Sequence, residues 1–221
     1  MWNAVLFDLD GTLLDTLEDL ADSTNAVLEK MGFLPHDVED YRFFVGDGVY
    51  NQARRALPEG RRDPETVRRC VEGIRCEYAR RWANKTEPYE GVPEMLDALQ
   101  ERDIPMAILS NKDEEFTLTV VGRLLAGWRF AVVRGARPDV PLKPDPRAAL
   151  EVADELGVDP EDVLYLGDTN TDMKTAGAAG MYAVGVTWGF RPADELQASG
   201  ARALIEHPCD LLELVEQTAS S

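Results

Sequence analysis

Short runs of hydrophobic residues alternate with longer amphipathic stretches along most of the chain. The runs show no alternation of polar and apolar positions, so each predicts a strand that is buried on both faces. The predicted strands are residues 5–7, 106–109, 130–133, 163–166, 182–186 and 203–205. Helices are predicted between strands at residues 92–101, 114–125 and 146–156. This succession predicts the α/β class, with a doubly wound parallel sheet covered by helices on both faces.

The segment between residues 16 and 84 does not follow this alternation. Apolar residues at helical spacing predict a first helix that begins near Leu17 and ends at Gly32. A second long helix is predicted to start at Asp63 and Pro64, because aspartate is a favoured N-cap and proline suits the first turn. No strand is predicted between these helices. The predicted domains are therefore an all-helical insert at residues 15–88 and a core formed by residues 1–14 and 89–221.

The composition disfavours several classes of function. The chain of 221 residues carries a net charge of −18, which argues against binding to the phosphate backbone of nucleic acids. No stretch approaches the roughly 20 apolar residues of a transmembrane helix, and no basic segment precedes the first apolar run as in a signal peptide. The three cysteines and two histidines show no metal-ligand spacing. We therefore expect a cytoplasmic protein with reduced thiols that contacts neither nucleic acid nor membrane.

Polar residues follow several of the predicted strands at the point where each strand ends. In a doubly wound sheet, ligands bind beyond the carboxyl ends of the strands, and parallel strands bring these ends to one edge. The side chains expected to meet at this edge are Asp8, Asp10, Ser110, Asn111, Lys143, Asp168 and Asp172. Clustered carboxylates repel one another and are costly to bury, so a cation is expected among them.

This set of side chains is suited to phosphoryl transfer. Mg²⁺ prefers oxygen ligands, and a lysine beside the metal can hold an anionic oxygen. An aspartate carboxylate can attack phosphorus and form an acyl-phosphate. Single residues also have structural explanations: Asp172 lies three residues after Thr169, the spacing of a helix capping box, and Lys143 alone fits a solvated loop. The combination of several loops at one sheet edge favours the catalytic interpretation.

Four segments resemble, in sequence and in order, the motifs of the haloacid dehalogenase superfamily of phosphohydrolases. They are DLDGTLLD at residues 8–15, ILSNK at 108–112, KPDP at 143–146 and GDTNTD at 167–172. The helical insert and the stretch FFVGDGVYNQARRAL resemble in particular the cap of the phosphoglycolate phosphatase group. The resemblance implies a Rossmann-like core with an inserted all-helical cap domain. It also implies a Mg²⁺-dependent phosphatase for a small phosphorylated metabolite, with 2-phosphoglycolate as the first candidate.

The resemblance implies catalytic roles for five residues. Asp8 would be the nucleophile that becomes phosphorylated. Asp10 would donate a proton to the leaving oxygen and then accept one from the attacking water, assisted by Thr12. Ser110 and Lys143 would complete the catalytic set by holding the phosphoryl group.

Two sets of ligands are implied by the same resemblance. Mg²⁺ would be held by the Asp8 carboxylate, the Asp10 backbone carbonyl, Asp168 and, in support, Asp172. The substrate phosphate would be bound by Thr12, Ser110, the backbone of Asn111 and Lys143. All of these residues lie in the four matching segments.

Choice of substrate is expected to depend on the cap. The glycine-flanked turn Gly46-Asp47-Gly48 is predicted to face the active site. Arg54 or its neighbour Arg55, on the following helix, could bind a substrate carboxylate through a bidentate contact. Each arginine by itself also fits an ordinary surface position on a helix.

Other functions on the same core remain open from the sequence. A pyrophosphatase or a nucleotidase would use the same residues on a different substrate. A phosphomutase resembling β-phosphoglucomutase would pass the phosphoryl group to a second sugar position, although that group usually lacks an acidic residue at the position of Asp172. A non-catalytic phosphate-binding protein is disfavoured because Asp8 and Lys143 are both present. A monomer and a homodimer fit equally well.

Overall fold

The computed structural model describes residues 2–217, and the chain forms two compact units. The first unit contains the chain up to Leu14 and from Pro88 onward. The second unit is Asp15–Glu87. The insertion is therefore one residue shorter than the expected 15–88, because Pro88 belongs to the first unit.

Strands and helices follow one another through both units. Within the described residues, the strands are β1 (Ala4–Phe7), β2 (Leu14–Asp15), β3 (Glu87–Pro88), β4 (Met106–Asp113), β5 (Val132–Ala136), β6 (Val163–Gly167), β7 (Tyr182–Val186) and β8 (Ala203–Ile205). The helices are α1 (Leu17–Lys30), α2 (Tyr41–Phe44), α3 (Val49–Ala56), α4 (Pro64–Arg81), α5 (Val92–Glu101), α6 (Glu114–Leu124), α7 (Arg147–Leu156), α8 (Asn170–Ala179), α9 (Ala193–Ala198) and α10 (Leu211–Gln217). None of the helices between residues 2 and 217 has the length and hydrophobicity needed to cross a membrane.

The first unit is built on a parallel sheet with the strand order β5-β4-β1-β6-β7-β8. In the central strand β1, Leu6 lies opposite Ala107 of β4 on one side and Tyr165 of β6 on the other. The chain continues from β1 to β4 and β5 on one side and then crosses to β6 on the other, which creates a topological switch beside β1. The predicted doubly wound parallel sheet is confirmed.

The central strands are apolar along their length because side chains on both faces are covered. All four residues of β1 are fully buried. Alternate residues point to opposite faces, so Ala4, Leu6 and Tyr165 share one core cluster with Ala149 and Val152 of α7. Burial on both faces explains why these runs carry no alternation of polar and apolar positions.

Two strand predictions differ from the structure by more than one residue. β5 begins at Val132 and ends at Ala136, whereas the apolar run predicted residues 130–133. β4 continues to Asp113, past the predicted end at residue 109, and its pairing with β5 shifts register between Leu109 and Asp113. The added part of β4 is polar and irregularly paired, so it lacks the hydrophobic signature on which the prediction relies.

The second unit contains both predicted long helices. The side chain of Asp63 caps α4 by accepting a hydrogen bond from the Thr66 N–H at 3.0 Å, and Pro64 opens the helix. Gly32 follows α1 with a φ of 80°, a conformation that favours glycine. The core of this unit includes Val27, Leu28, Val67, Cys70 and Ile74. Helices α2 and α3 were not predicted, because segments of four and eight residues show too little periodicity to be recognised.

The thiols of the second unit differ sharply in accessibility. Cys70 is buried, and burial raises the pKa of its thiol to about 11. Cys76 lies on the same helix, α4, and is exposed. Since the thiolate is the reactive form, iodoacetamide at mildly alkaline pH should modify Cys76 rapidly and Cys70 only after unfolding. Peptide mass spectrometry over time measures both rates, and equal rates in the folded protein would contradict the burial of Cys70.

Candidate active site

The carboxyl ends of β1, β4 and β6 bring the predicted polar residues together in the first unit. Asp8 follows β1 directly, Ser110 and Asn111 lie in the last part of β4, and Asp168 follows β6. Lys143 lies in the connection between β5 and α7. Asn111 holds this connection in place: its side-chain oxygen accepts from the Lys143 N–H at 2.9 Å, and its amide donates to the Lys143 carbonyl at 3.1 Å.

The buried ammonium group of Lys143 lies between two carboxylates. Its Nζ donates to Asp8 Oδ1 at 2.6 Å, to Asp172 Oδ1 at 2.7 Å and to the Leu109 carbonyl at 3.0 Å. These three oxygens match the three donors of an ammonium group. Burial alone would lower the pKa of Lys143, but the charges of Asp172 and Asp8 raise that pKa well above its ordinary value. Lys143 is therefore positively charged.

Three buried carboxylates surround this point. Asp8, Asp168 and Asp172 each place one oxygen within 4.8 Å of the others. Three carboxylates and the Lys143 ammonium give a formal sum of −2. Burial raises the pKa of Asp8 to about 7, although the charge of Lys143 acts in the opposite direction. Burial also raises the pKa of Asp168 well above its usual range, and the nearby charges of Asp8 and Asp172 add to this effect. The raised pKa values show that burial and mutual repulsion oppose three negative charges in this cluster, and an oxygen-only donor set of this kind fits a hard divalent cation such as Mg²⁺.

Asp168 is oriented by hydrogen bonds to both of its carboxylate oxygens. The Thr12 hydroxyl donates to Oδ1 at 3.2 Å, and the Phe190 N–H donates to Oδ2 at 2.8 Å. The sequence did not predict this contact of Thr12 with Asp168, and the assistance of Thr12 to Asp10 stays a prediction. Gly11 lies against the same carboxylate with a φ of 91°, and a Cβ at this position would collide with Asp168.

Asp172 makes both a helix-capping contact and a contact with the charged cluster. Its Oδ2 accepts from the Thr169 N–H at 3.1 Å, and its own N–H donates to the Thr169 hydroxyl oxygen at 3.4 Å, which forms a capping box at the start of α8. Its Oδ2 also lies 2.6 Å from the Thr169 hydroxyl. Its Oδ1 accepts from Lys143 and, at 3.4 Å, from the hydroxyl of Tyr165. Tyr165 was not predicted at the site, because in the sequence it is simply one apolar position of a buried strand. One oxygen of Asp172 thus caps a helix while the other faces the charged cluster.

Asp10 is paired with a lysine to which the sequence analysis assigned no role. The ammonium of Lys112 donates to Asp10 Oδ1 at 2.6 Å. The backbone N–H of Lys112 donates to the Ser110 hydroxyl oxygen at 3.1 Å. Lys112 is part of the segment ILSNK, but it is 102 residues from Asp10, and no local pattern connects the two.

Comparison with known proteins identifies the family. A sequence model described as haloacid dehalogenase-like hydrolase matches residues 5–186. This chain belongs to the haloacid dehalogenase-like hydrolase family. Phosphoglycolate phosphatase 1 of Pseudomonas aeruginosa is 31% identical over 97% of this chain and 80% of that protein. N-acetylmuramic acid 6-phosphate phosphatase of the same organism is 32% identical over 97% of this chain and 95% of that protein. The chain is thus a phosphatase of this family.

Solved structures of the family show the same fold. One is a protein from Lactobacillus delbrueckii subsp. bulgaricus that is assigned by inference as a phosphoglycolate phosphatase. It superimposes with a TM-score of 0.92 at 30% identity, covering 97% of this chain and 98% of that one. β-Phosphoglucomutase of Clostridium difficile superimposes with a TM-score of 0.77 at 20% identity, covering 98% of this chain and 96% of that one. At this lower identity the second similarity concerns the fold alone.

In this haloacid dehalogenase-like hydrolase, the residues predicted in the cap lie in the second unit. The carboxylate of Asp47 forms a bidentate pair with Arg55, at 2.6 and 2.5 Å. Gly46 and Gly48 flank it with φ values of 113° and 91°, so this turn depends on glycine on both sides. Arg54 is exposed on α3. The Asp47–Arg55 pair stabilises this turn without any substrate. Substrate binding by the turn and by Arg54 stays a prediction.

Proposed function

We propose that this phosphatase hydrolyses small phosphomonoesters in a Mg²⁺-dependent reaction through an aspartyl-phosphate at Asp8. The observation that carries the proposal is the environment of Asp8. Its carboxylate lies at the end of β1, beside the buried ammonium of Lys143 and within 4.8 Å of two further carboxylates. An anionic phosphate ester is repelled by a negatively charged nucleophile. The fixed ammonium, together with a metal ion held by the acidic cluster, would offset this repulsion.

In the first half-reaction, Asp8 attacks phosphorus. Lys143 holds Oδ1 of Asp8, which leaves the other carboxylate oxygen for the attack. A bond forms between this oxygen and phosphorus while the bond from phosphorus to the leaving oxygen breaks, and the leaving oxygen takes a proton from Asp10. The Ser110 hydroxyl and the Asn111 N–H are the donors assigned to the phosphoryl oxygens.

In the second half-reaction, water attacks the phosphorus of the aspartyl-phosphate. Asp10 takes a proton from this water, the bond between phosphorus and the Asp8 oxygen breaks, and inorganic phosphate leaves. The turn after β1 fixes the backbone of Asp10: the Gly11 N–H donates to the Leu14 carbonyl at 2.8 Å, and the Leu14 N–H donates to the Leu9 carbonyl at 3.0 Å. This turn therefore fixes the backbone of Asp10 two residues after the assigned nucleophile.

The acidic cluster supplies the ligands assigned to Mg²⁺. These are the carboxylates of Asp8, Asp168 and Asp172 and the backbone carbonyl of Asp10. The metal, when bound, neutralises the cluster and stabilises negative charge on the phosphoryl oxygens. Asp168 is suited to a ligand role because hydrogen bonds from Thr12 and Phe190 fix the direction of its carboxylate.

2-Phosphoglycolate is the first substrate candidate. Relatives named phosphoglycolate phosphatase match at 29–33% identity, among them those of Pseudomonas aeruginosa and Xylella fastidiosa. The exposed guanidinium of Arg54 is the group we assign to the carboxylate of this substrate. N-acetylmuramic acid 6-phosphate is the second candidate, because the phosphatase named for it matches at 32% identity over nearly the full length of both chains.

A panel of phosphate compounds tests this proposal directly. Phosphate release should be measured from 2-phosphoglycolate, N-acetylmuramic acid 6-phosphate, β-glucose 1-phosphate, p-nitrophenyl phosphate, pyrophosphate and a nucleoside monophosphate. Each reaction is run with Mg²⁺, with EDTA, and with EDTA followed by excess Mg²⁺. We expect highest kcat/KM on 2-phosphoglycolate, loss of activity in EDTA and recovery on adding Mg²⁺, because the buried cluster needs a cation to accept an anionic substrate.

Each other outcome of the panel has a defined meaning. Preference for N-acetylmuramic acid 6-phosphate would replace the first substrate by the second and retain the chemistry. Preference for pyrophosphate or the nucleotide would assign a pyrophosphatase or a nucleotidase. Activity that survives exhaustive chelation would contradict the role of Mg²⁺, and no release from any compound by folded, Mg²⁺-loaded protein would refute the hydrolytic proposal.

A further inference from the structure

We infer that Lys112 is a positioning residue, which holds the carboxyl group of Asp10 in place for proton transfer to the leaving oxygen. This inference rests on the proposed function, because it concerns the proton donor of that reaction. The ammonium of Lys112 lies 2.6 Å from Asp10 Oδ1, and the pair joins the loop after β1 to the end of β4. It is separate from the contacts that Lys143 makes with Asp8 and Asp172.

Burial distinguishes this pair from ordinary surface ion pairs. The side chains of Lys112 and Asp10 are 7% and 16% exposed. By contrast, the lysine in the pair between Lys30 and Glu77 is 65% exposed. Lysine is strongly hydrated, so burying its ammonium is unfavourable unless a charged partner replaces the lost water. A surface lysine that merely neutralises the acidic chain would remain in solvent.

The backbone of Lys112 is anchored on both sides of the residue. Its N–H donates to the Ser110 hydroxyl oxygen at 3.1 Å, and its carbonyl accepts from the Thr117 hydroxyl at 3.2 Å. Gly135 packs against the same carbonyl so closely that a Cβ there would collide with it. The side chain therefore extends toward Asp10 from a fixed position, and the same residue orients the hydroxyl assigned to the phosphoryl group.

Asp10 needs a side-chain partner because its backbone alone does not determine where its carboxylate points. The turn after β1 fixes the backbone, but the carboxylate can still rotate about two side-chain bonds. Lys112 holds Oδ1 and leaves Oδ2 for the leaving oxygen. Proton transfer requires heavy atoms at hydrogen-bond distance, and a displacement of about 1 Å can reduce a rate about 100-fold.

The test uses two substrates that differ in their need for a proton. An alkyl phosphate such as 2-phosphoglycolate releases an alkoxide, which must be protonated as it leaves, whereas p-nitrophenyl phosphate releases a stable phenolate. The ratio of kcat/KM on these two compounds is measured for wild type, Lys112→Met, Lys112→Arg and a control, Lys174→Met. Lys174 is exposed on α8 and outside the site. If wild type does not hydrolyse 2-phosphoglycolate, the best alkyl phosphate of the panel takes its place.

We expect Lys112→Met to lower kcat/KM on the alkyl phosphate about 10- to 100-fold and on p-nitrophenyl phosphate by less than about threefold. Lys112→Arg should recover part of the loss, because it restores a cationic donor, and Lys174→Met should match wild type. Melting temperatures establish that the variants are folded.

Two results would overturn the inference. Equal losses on both substrates would show that Lys112 does not act through the protonation of the leaving group. Unchanged activity of Lys112→Met on the alkyl phosphate would show that Asp10 needs no such partner. An inactive wild type would instead refute the proposed function, so the two failures are distinguishable.

Discussion

Asp8→Asn is expected to lower kcat by at least about 1,000-fold, because an amide is a far weaker nucleophile toward phosphorus than a carboxylate. The fold should be retained. Asparagine has the shape of aspartate, and its side-chain oxygen can still accept the hydrogen bond that Lys143 now donates to Asp8. Phosphate release on the best substrate of the panel measures the activity, and circular dichroism with thermal unfolding measures the fold.

The matched control is Asp154→Asn, which makes the same chemical change at an exposed position on α7. This control should keep the activity of wild type. Intact-mass spectrometry of wild type quenched in acid during turnover should also detect a phosphorylated species that is absent from Asp8→Asn. Substantial turnover by folded Asp8→Asn, freed of any deamidated protein, would rule out Asp8 as the nucleophile.

Lys143→Met is expected to cause the largest loss of stability of any single change at the site. The substitution leaves two buried carboxylates, Asp8 and Asp172, without the ammonium that now bonds to both. It also removes the donor to the Leu109 carbonyl. Removing one partner of a buried ion pair costs about 3–5 kcal/mol, which lowers the melting temperature of a chain of this size by about 6–20 °C. Thermal unfolding in EDTA measures the effect without a contribution from bound metal.

Lys174→Met serves as the control for this change as well, because it removes a lysine from the exposed face of α8. Its melting temperature should equal that of wild type within error. Addition of Mg²⁺ should raise the melting temperature of Lys143→Met, since a divalent cation can replace part of the missing positive charge. If Lys143→Met and Lys174→Met melt at the same temperature in EDTA, the buried cluster does not depend on Lys143.

Most strands of the parallel sheet could be predicted closely from the sequence alone. β7 and β8 have the predicted bounds, and β1 and β6 each differ by one residue at one end. Continuous apolar runs are typical of strands that are buried on both faces, as β1 is. The prediction was poorer at β5 and at the end of β4, where polar residues and a register shift replace the simple pattern. Short helices such as α2 and α3 were missed for a similar reason, because they lack enough turns to show a period.

The location of the site could also be predicted, although the contacts within it could not. Parallel strands place their carboxyl ends at one edge, so the meeting of Asp8, Lys143 and Asp168 follows from the strand pattern. The hydrogen bond from the Thr12 hydroxyl to Asp168, for example, could not be predicted. Asp172 combines two contacts that the sequence treated as alternatives. One of its oxygens accepts from Thr169 at the start of α8, and the other accepts from Lys143.

By itself, the sequence determined the chain order of the strands of the parallel sheet, the helical insertion and the kinds of side chain that follow several strands, because these depend on patterns within a few residues of one another. Only the tertiary structure decided which side chains meet. Lys112 bonds to Asp10 across 102 residues, and Thr12 bonds to Asp168 across 156 residues. Such pairs depend on the lateral order of the strands, on the path of each loop and on side-chain rotamers. Local periodicity carries no information about these three properties.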